Sequence, residues 1–418
     1  MPPLPGMTVA MSTTSAPRRE VTRRFLALLA VPSFGLALSI TIVTTYLPVL
    51  LSKVSGPTAT GVLIGFEGLL ALVVPGLVGG LSDRTSTRFG RRLPFVLVGA
   101  PLMALALLVM PFFTNFVILA VALLIFYGGY FTYYAPYRAM YPDLVPEADR
   151  SRSQGSQNVA RELGLGVALV GGGFLLGLWK GLPFAVAAGV LLAVTGAFAY
   201  RVRAHARDCE PDPAAATPPE DVNRWRSWAL LREDADIRRL LTANALWELA
   251  LGALKTFVVL FITVGLGRSS SLASAALAIV AVGVVLAALA AGPLAERFGH
   301  GRLLTAAAAV YAVGLAVPIV VHSLLFLVAL LPLAFAAGIV MTLPYSLLMG
   351  LLPDADHGAG AGAFEASRGL GVVLGPILAG VAVETLKPVF SSTDGYAAMF
   401  LVASLAVLIS VPLARRAT

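Results

Sequence analysis

Charge is what this chain has least of. Asp, Glu, Lys and Arg make up 12% of its 418 residues, where water-soluble domains carry roughly 25%. A chain so poor in charge cannot keep a large surface in water. A single cysteine, Cys209, excludes an internal disulfide. Four scattered histidines (His205, His300, His322, His357) offer neither metal-ligand spacing nor a catalytic constellation. No nucleotide-binding P-loop string occurs. The longest stretch without apolar runs, about 201–236, is too short for an appended soluble domain. These absences remove the grounds for a membrane enzyme or a sensory scaffold, and no cofactor or metal is expected.

What is present is apolar length. The chain is 58% hydrophobic, with a mean hydropathy of +0.86. Runs near the ~20 residues that cross a ~30 Å hydrocarbon core fall at 25–51, 58–81, 93–113, 115–138, 158–179 and 181–200. Six more fall at 237–265, 271–294, 303–322, 324–350, 361–384 and 395–413. Lipid cannot satisfy open-edged backbone, so all twelve are expected to be helices. The expected fold is an all-α membrane protein of two six-helix bundles, 25–200 and 237–413. A tail (1–24), a linker (201–236) and a short end (414–418) complete it. The tail is rich in Pro, Ser and Thr and ends in Arg18, Arg19, Arg23 and Arg24. The run after it outlasts the ~7–15 apolar residues of a cleaved signal peptide, so it reads as a retained first helix. Met7 and Met11 are alternative starts.

The net charge of +8 is explained by position. With the N-terminus inside, all but Lys53, Lys180, Lys255, Arg268 and Lys387 of the 30 Lys and Arg lie in or beside cytoplasmic segments. That is the positive-inside pattern. It fixes both termini in the cytoplasm of a multi-pass plasma-membrane protein and points to no nucleic acid. In the linker, Pro211, Pro213, Pro218 and Pro219 favour extended chain. Asp221 could cap a short helix with Trp225, Trp228 and Leu231 on one side and Arg224 and Arg232 elsewhere, lying on the inner membrane surface. An unstructured tether is the other reading.

The two halves repeat. Phe89-Gly90, Pro146-Glu147-Ala148-Asp149-Arg150 and Arg161-x-Leu163-Gly164 recur as Phe298-Gly299, Pro353-Asp354-Ala355-Asp356-His357 and Arg368-x-Leu370-Gly371. The offset is 209 residues for the first pair and 207 for the others. Bundles repeated in this way enclose a site near the membrane midplane and work by alternating access.

The loop after helix 2 carries the most specific string, Asp83-Arg84-x-x-x-Arg88-Phe89-Gly90-Arg91-Arg92-x-Pro94-Phe95. Gly90 permits a tight turn at positive φ. Asp83 could reach an opposing helix N-terminus, where the macrodipole favours an anion. The arginines could grip lipid phosphates or partner carboxylates, or simply form a positive-inside loop. The string resembles the signature loop of the major facilitator superfamily, in the form of plant-type sucrose transporters and melibiose-type glycoside symporters. Pro136-Tyr137-Arg138-Ala139-Met140 with Asp143-Leu144 resembles a second element of the sucrose group, and Glu296-Arg297-Phe298-Gly299 is the degenerate copy of the loop. The resemblance implies that Asp83 docks on the start of helix 11, near Gly358 to Gly362, and holds the cytoplasmic side shut. Glu296 near Gly155 would be its counterpart. Arg161 and Glu162, with Glu365 and Arg368, would form paired cytoplasmic gate links.

Charge inside a bilayer is a functional hypothesis by default, and three residues qualify: Glu67 in helix 2, and Glu248 and Lys255 in helix 7. Glu248 and Lys255 share a helix face about 10 Å apart along the axis, and Asn244 extends that stripe. Trp247 beside it is expected to stack on a sugar ring. Tyr127, Tyr130, Tyr134 and Tyr137 follow one face of helix 4, suiting a carbohydrate's C–H faces and hydroxyls, or else an interfacial aromatic belt. Thr41 and Thr45 could add hydroxyls or simply pack. The sequence departs from both relatives. Sucrose-proton symporters have an aspartate where Tyr127 aligns, and melibiose-type symporters have two, where Ala71 and Pro75 align. Glu67 and Glu248 are the candidate substitutes as ion-coupling carboxylates; without coupling, the protein would be a facilitator. The expectation is a monomeric secondary transporter, proton-coupled and carrying a small molecule such as a sugar or glycoside. The alternative is an exporter of a drug or amphipathic metabolite.

Overall fold

Apolar length decides the architecture. A computed structural model of the protein describes residues 22–85, 87–145, 147–208, 232, 234–321, 326–353 and 356–416. Twelve of its helices are long and apolar enough to cross a membrane. They are α1 (Arg23–Leu51), α2 (Pro57–Arg84), α3 (Leu93–Val109), α4 (Phe116–Leu144), α5 (Glu147–Leu178) and α6 (Leu182–Asp208). The second half supplies α7 (Ala235–Leu260), α8 (Ser270–Phe298), α9 (His300–Val320), α10 (Phe326–Leu351), α11 (His357–Thr385) and α12 (Ala398–Arg416). There is no strand among the described residues. A short 3-10 turn, Met110–Phe112, extends α3, and a π-helical turn, Phe261–Gly265, extends α7.

Two helices outrun the apolar pattern. Helix α5 starts at Glu147, ahead of the expected 158, and α6 continues to Asp208, past the expected 200. Hydropathy marks only the part of a helix that lies in lipid. Sequences rich in Ala, Arg, Glu and Gln keep the helix going in water. Tail residues 1–21, Cys209 and the linker segment with Trp225, Trp228 and Leu231 lie outside the described residues.

The halves are two pseudo-symmetric bundles, α1–α6 and α7–α12. In the first, α1 packs on α5 and α6, α3 on α4 and α6, and α2 on α4. In the second, α7 packs on α11 and α12, α9 on α10 and α12, and α8 on α10. Each pair in one bundle has its twin in the other. The repeat holds at the level of single turns. Gly90 and Gly299 both adopt φ 84°. Arg88 lies over the Phe89 ring at 4.7 Å, and Arg297 over the Phe298 ring at 5.3 Å. Gly164 meets the Phe34 carbonyl of α1 as Gly371 meets the Ala245 carbonyl of α7.

Lipid and helix surface are equally apolar, so burial alone does not hold helices together in a membrane. Small residues that let backbones approach do so instead. Large apolar side chains such as Leu105, Val121, Val313 and Ile409 accordingly face outward. The bundles meet through α2 with α11, α5 with α8, and α1 with α7.

Along α2–α11 and α5–α8 the glycine contacts gather toward one end. Both Thr22 and Arg416 lie at one end of the molecule, here the termini end; the α1–α2 and α11–α12 connections lie at the far end. From the far end inward, Gly380 faces the Pro57 carbonyl, Gly61 the Pro376 carbonyl, Gly65 the Val373 carbonyl and Gly68 the Gly369 carbonyl. Past Leu72, which covers Gly369, the helices part: Gly76, Gly79 and Gly80 face open space, and Leu77 and Leu81 are exposed. Helices α5 and α8 behave alike. Gly173 and Gly177 pack on Ser270, Ser271 and Ser274, whereas Gly155 and Gly166 face nothing. The result is a V-shaped cleft, closed at the far end and open at the termini end.

Candidate functional site

The charged groups sit at the vertex of the V. Glu67 precedes Gly68, where the α2–α11 seam ends, and Arg368 precedes Gly369 on the opposite helix. Arg368 Nε lies 3.5 Å from Glu248 Oε1 on α7, and its NH1 lies 3.4 Å from Glu365 Oε2 on its own helix. Half-buried Glu67 stands within electrostatic reach of Lys255, Arg368 and Glu248. Lys255 is exposed and forms no ion pair within 4 Å among the described residues. Two carboxylates and two cations, drawn from α2, α7 and α11, thus share one space midway along the helices.

Helix α4 supplies the opposite wall. Tyr130 and Tyr134 stack with ring centroids 5.5 Å apart and planes 13° from parallel. Tyr130 lies within reach of Glu67, Arg368 and Arg161. Arg138 donates from NH1 to the Tyr134 hydroxyl at 3.0 Å and covers that ring. Aromatic faces beside alternating charge can hold the C–H face of a polar solute while the charges take its hydroxyls.

The other half of the tyrosine stripe is structural. Fully buried Tyr127 directs its hydroxyl to the Ile64 carbonyl of α2 at 3.4 Å. Tyr137 donates to the Leu29 carbonyl at 2.6 Å and meets the Ser33 hydroxyl at 2.8 Å, tying α4 to α1. Trp247 is 1% exposed and donates from Nε1 to the Ser410 hydroxyl of α12 at 2.6 Å, so its ring fills the second bundle rather than the cleft. Asn244 is likewise buried, donating to Ser367 Oγ at 2.9 Å. Thr41 and Thr45 are buried in α1, Thr45 Oγ1 without a hydrogen-bond partner among the described residues.

Of the residues expected to gate the cytoplasmic side, Arg138 stands within electrostatic reach of Glu365 and Arg368 of the other bundle. Arg161 pairs with its neighbour Glu162 at 2.9 Å, and Arg368 with Glu248 and Glu365, so each ion pair stays within its own bundle. Glu296 is exposed, and Gly155 has open space before it. Arg84 is exposed, and Arg91 and Arg92 are half-buried in the α2–α3 loop. Thr87 organises that loop, its carbonyl accepting from the Gly90 amide at 2.9 Å and its hydroxyl donating to the Gly90 carbonyl at 2.8 Å. Asp83 stands in the last turn of α2, and its side chain lies outside the described residues.

Sequence reasoning placed Arg368 in the gate; the geometry adds it to the charge cluster. Its repeat twin, Arg161, gave no hint of this, because the first bundle has no carboxylate at the position matching Glu248. Tyr311 of α9, fully buried within reach of Glu248, was missed altogether. A lone tyrosine in an apolar helix carries no distinguishing pattern.

Comparison with known proteins bears on the family and the fold. A family model described as MFS/sugar transport protein matches residues 28–412. Among solved structures, the nucleoside transporter NupG superposes with a TM-score of 0.74 at 14% identity, covering 93% of this chain and 97% of that one. A bacterial homologue of the human lysosomal transporter Spinster, inward-facing and unoccupied, superposes with a TM-score of 0.73 at 15% identity, covering 94% and 95%. At such identity the likeness concerns the fold.

Proposed function

The chain belongs to the MFS/sugar transport protein family, and from that premise we propose that it is a proton-coupled transporter of a sugar or glycoside. In this reading it sits in the plasma membrane with both termini cytoplasmic, and the open cleft is its inward-facing state. The observation that carries the reading is the position of Glu67, beside Gly68 at the vertex of the cleft and within electrostatic reach of Lys255, Arg368 and stacked Tyr130.

A carboxylate at that depth is costly to keep charged, and adjacent cations lower the cost. Glu67 therefore exchanges a proton according to how near Lys255 and Arg368 stand. Their distance changes when α2 and α11 move. Protonation would favour one arrangement of the bundles, and deprotonation the other. Tyr130 and Tyr134 would hold the solute's apolar face. Arg138 orients the Tyr134 hydroxyl, and Glu248 fixes Arg368. When the termini end closes, Asp83, Glu296 and the Arg161–Glu162 and Glu365–Arg368 pairs would come together across the bundles.

The test is uptake of labelled sucrose, maltose and a nucleoside into proteoliposomes, with and without an inward proton gradient. Accumulation of a sugar that collapses with a protonophore is expected. Folded protein that moves none of them under either condition would end the sugar reading and turn attention to export of amphipathic molecules.

A further inference from the structure

Helix α2 starts without a cap of its own. Its N-cap is Gly56, at φ −73° and ψ 168°, which has no side chain to accept from the first free amides, and Pro57 follows. The missing acceptor comes from the other bundle. Glu384, in the last turn of α11, accepts a hydrogen bond from the Thr58 amide through Oε2 at 3.2 Å. Gly56 lies against the same carboxylate: a methyl group there would stand 3.4 Å from Oε2. One turn earlier in α11, Gly380 meets the Pro57 carbonyl, so two backbones in contact fix the approach.

Four other helices cap themselves, while α3, α9 and α11, like α2, have no side-chain cap at their N-cap residue. Thr22 serves α1, Asn115 serves α4, Asp234 serves α7 and Ser269 serves α8, each through its own side chain. The contrast with α8 is the informative one, because α8 is the repeat counterpart of α2. The position in α5 that matches Glu384, at the offset of 207, is Gly177, which faces Ser270 and Ser271. Of the two symmetry-related seams, the one between α5 and α8 leaves its helix self-capped. The one between α2 and α11 lends its helix a cap across the bundle interface.

We propose that Glu384 is a latch on the far gate, a residue that positions α2 for transport. The Thr58 amide has this carboxylate as acceptor only while the far end is closed; separation of the bundles there leaves it to water. Carboxylate, helix dipole and orphan amides act together, so Glu384 favours the far-end-closed state over the far-end-open state. The inference rests on alternating access and not on the identity of the solute.

The test measures bundle separation directly. Spin labels on cysteines at Val54 and Val389, in a Cys209→Ser background, report the far-end distance by double electron–electron resonance. Glu384→Ala is expected to raise the ratio of long to short distances about fivefold, the equivalent of one helix cap. Adding Gly56→Ser gives α2 a cap in cis, at a φ any residue adopts, and keeps the helix folded. In that double variant thermal stability is expected to return while the long distances persist. An unchanged distribution in Glu384→Ala, or recovery of the short distance on adding Gly56→Ser, would overturn the latch and leave Glu384 as a structural cap. Absence of sugar uptake leaves this readout untouched, so the two proposals fail separately.

Discussion

Gly68 on α2 and Gly369 on α11 meet backbone to backbone, and the residue before each is charged: Glu67 on one side, Arg368 on the other. The point where the bundles part is therefore also the point where ionisable groups enter the membrane.

Glu67→Gln removes the titrating group and keeps its volume. Gradient-driven accumulation is expected to disappear, while counterflow exchange of the same solute continues. Proteoliposome uptake measured in both modes checks this. Loss of both modes, in folded protein, would make Glu67 a binding or folding residue instead.

Glu248→Gln takes from Arg368 one of its two carboxylates. The pair is partly open to water, so the loss of stability should stay near or below about 1 kcal/mol. Transport should suffer more than stability, because Arg368 is then paired only with Glu365 of its own helix, whose side chain is mostly exposed. The KM measured beside the melting temperature separates the two effects.

Trp247→Phe and Tyr130→Ala should divide cleanly. The first deletes the hydrogen bond to Ser410 and is expected to cost about 1 kcal/mol of stability, leaving KM as it was. The second opens the α4 wall and is expected to raise KM for uptake. A raised KM in Trp247→Phe would contradict the inward-turned ring.

Gly61→Val and Gly76→Val should bias opposite states. A side chain at Gly61 runs into the Pro376 backbone, so the far end cannot close. One at Gly76 meets nothing in the present form and obstructs only closure at the termini end. Thiol accessibility from each side of the membrane is expected to change in opposite directions.

Gly90→Ala and Gly299→Ala place a methyl group at φ 84°. Each is expected to cost about 1–3 kcal/mol. Measured melting temperatures should fall by comparable amounts for the two, since the turns are copies.

Much of this molecule was legible in its residues. Apolar runs mark the twelve helices because lipid tolerates little else, and the Phe89-Gly90 and Phe298-Gly299 strings disclose two bundles because a shared turn needs a shared glycine. Intramembrane charge singled out Glu67, Glu248 and Lys255 for a similar reason. What stayed hidden was the direction of side chains. Trp247 adjoins Glu248 in sequence, yet adjacent helical positions point about 100° apart. The tryptophan enters the bundle while the glutamate faces Arg368. The tyrosine stripe divides in its contacts. Its four members share one face, but that face is wide enough for Tyr127 and Tyr137 to serve α2 and α1 while Tyr130 and Tyr134 line the cleft. Glu384 was invisible because nothing in a linear sequence says that a glycine at one helix start lacks a cap that another helix lends.

The seam between α2 and α11 is largely main chain, glycine against carbonyl, with Leu72, Val373 and Ile377 the side chains that reach into it. Few side chains need withdraw for the two faces to come apart. Every carbonyl they expose is already bonded within its own helix. Such a joint can open one glycine at a time from the vertex outward. Its set point should follow the lateral pressure of the surrounding bilayer, which would make the host membrane's composition a determinant of how fast this transporter cycles.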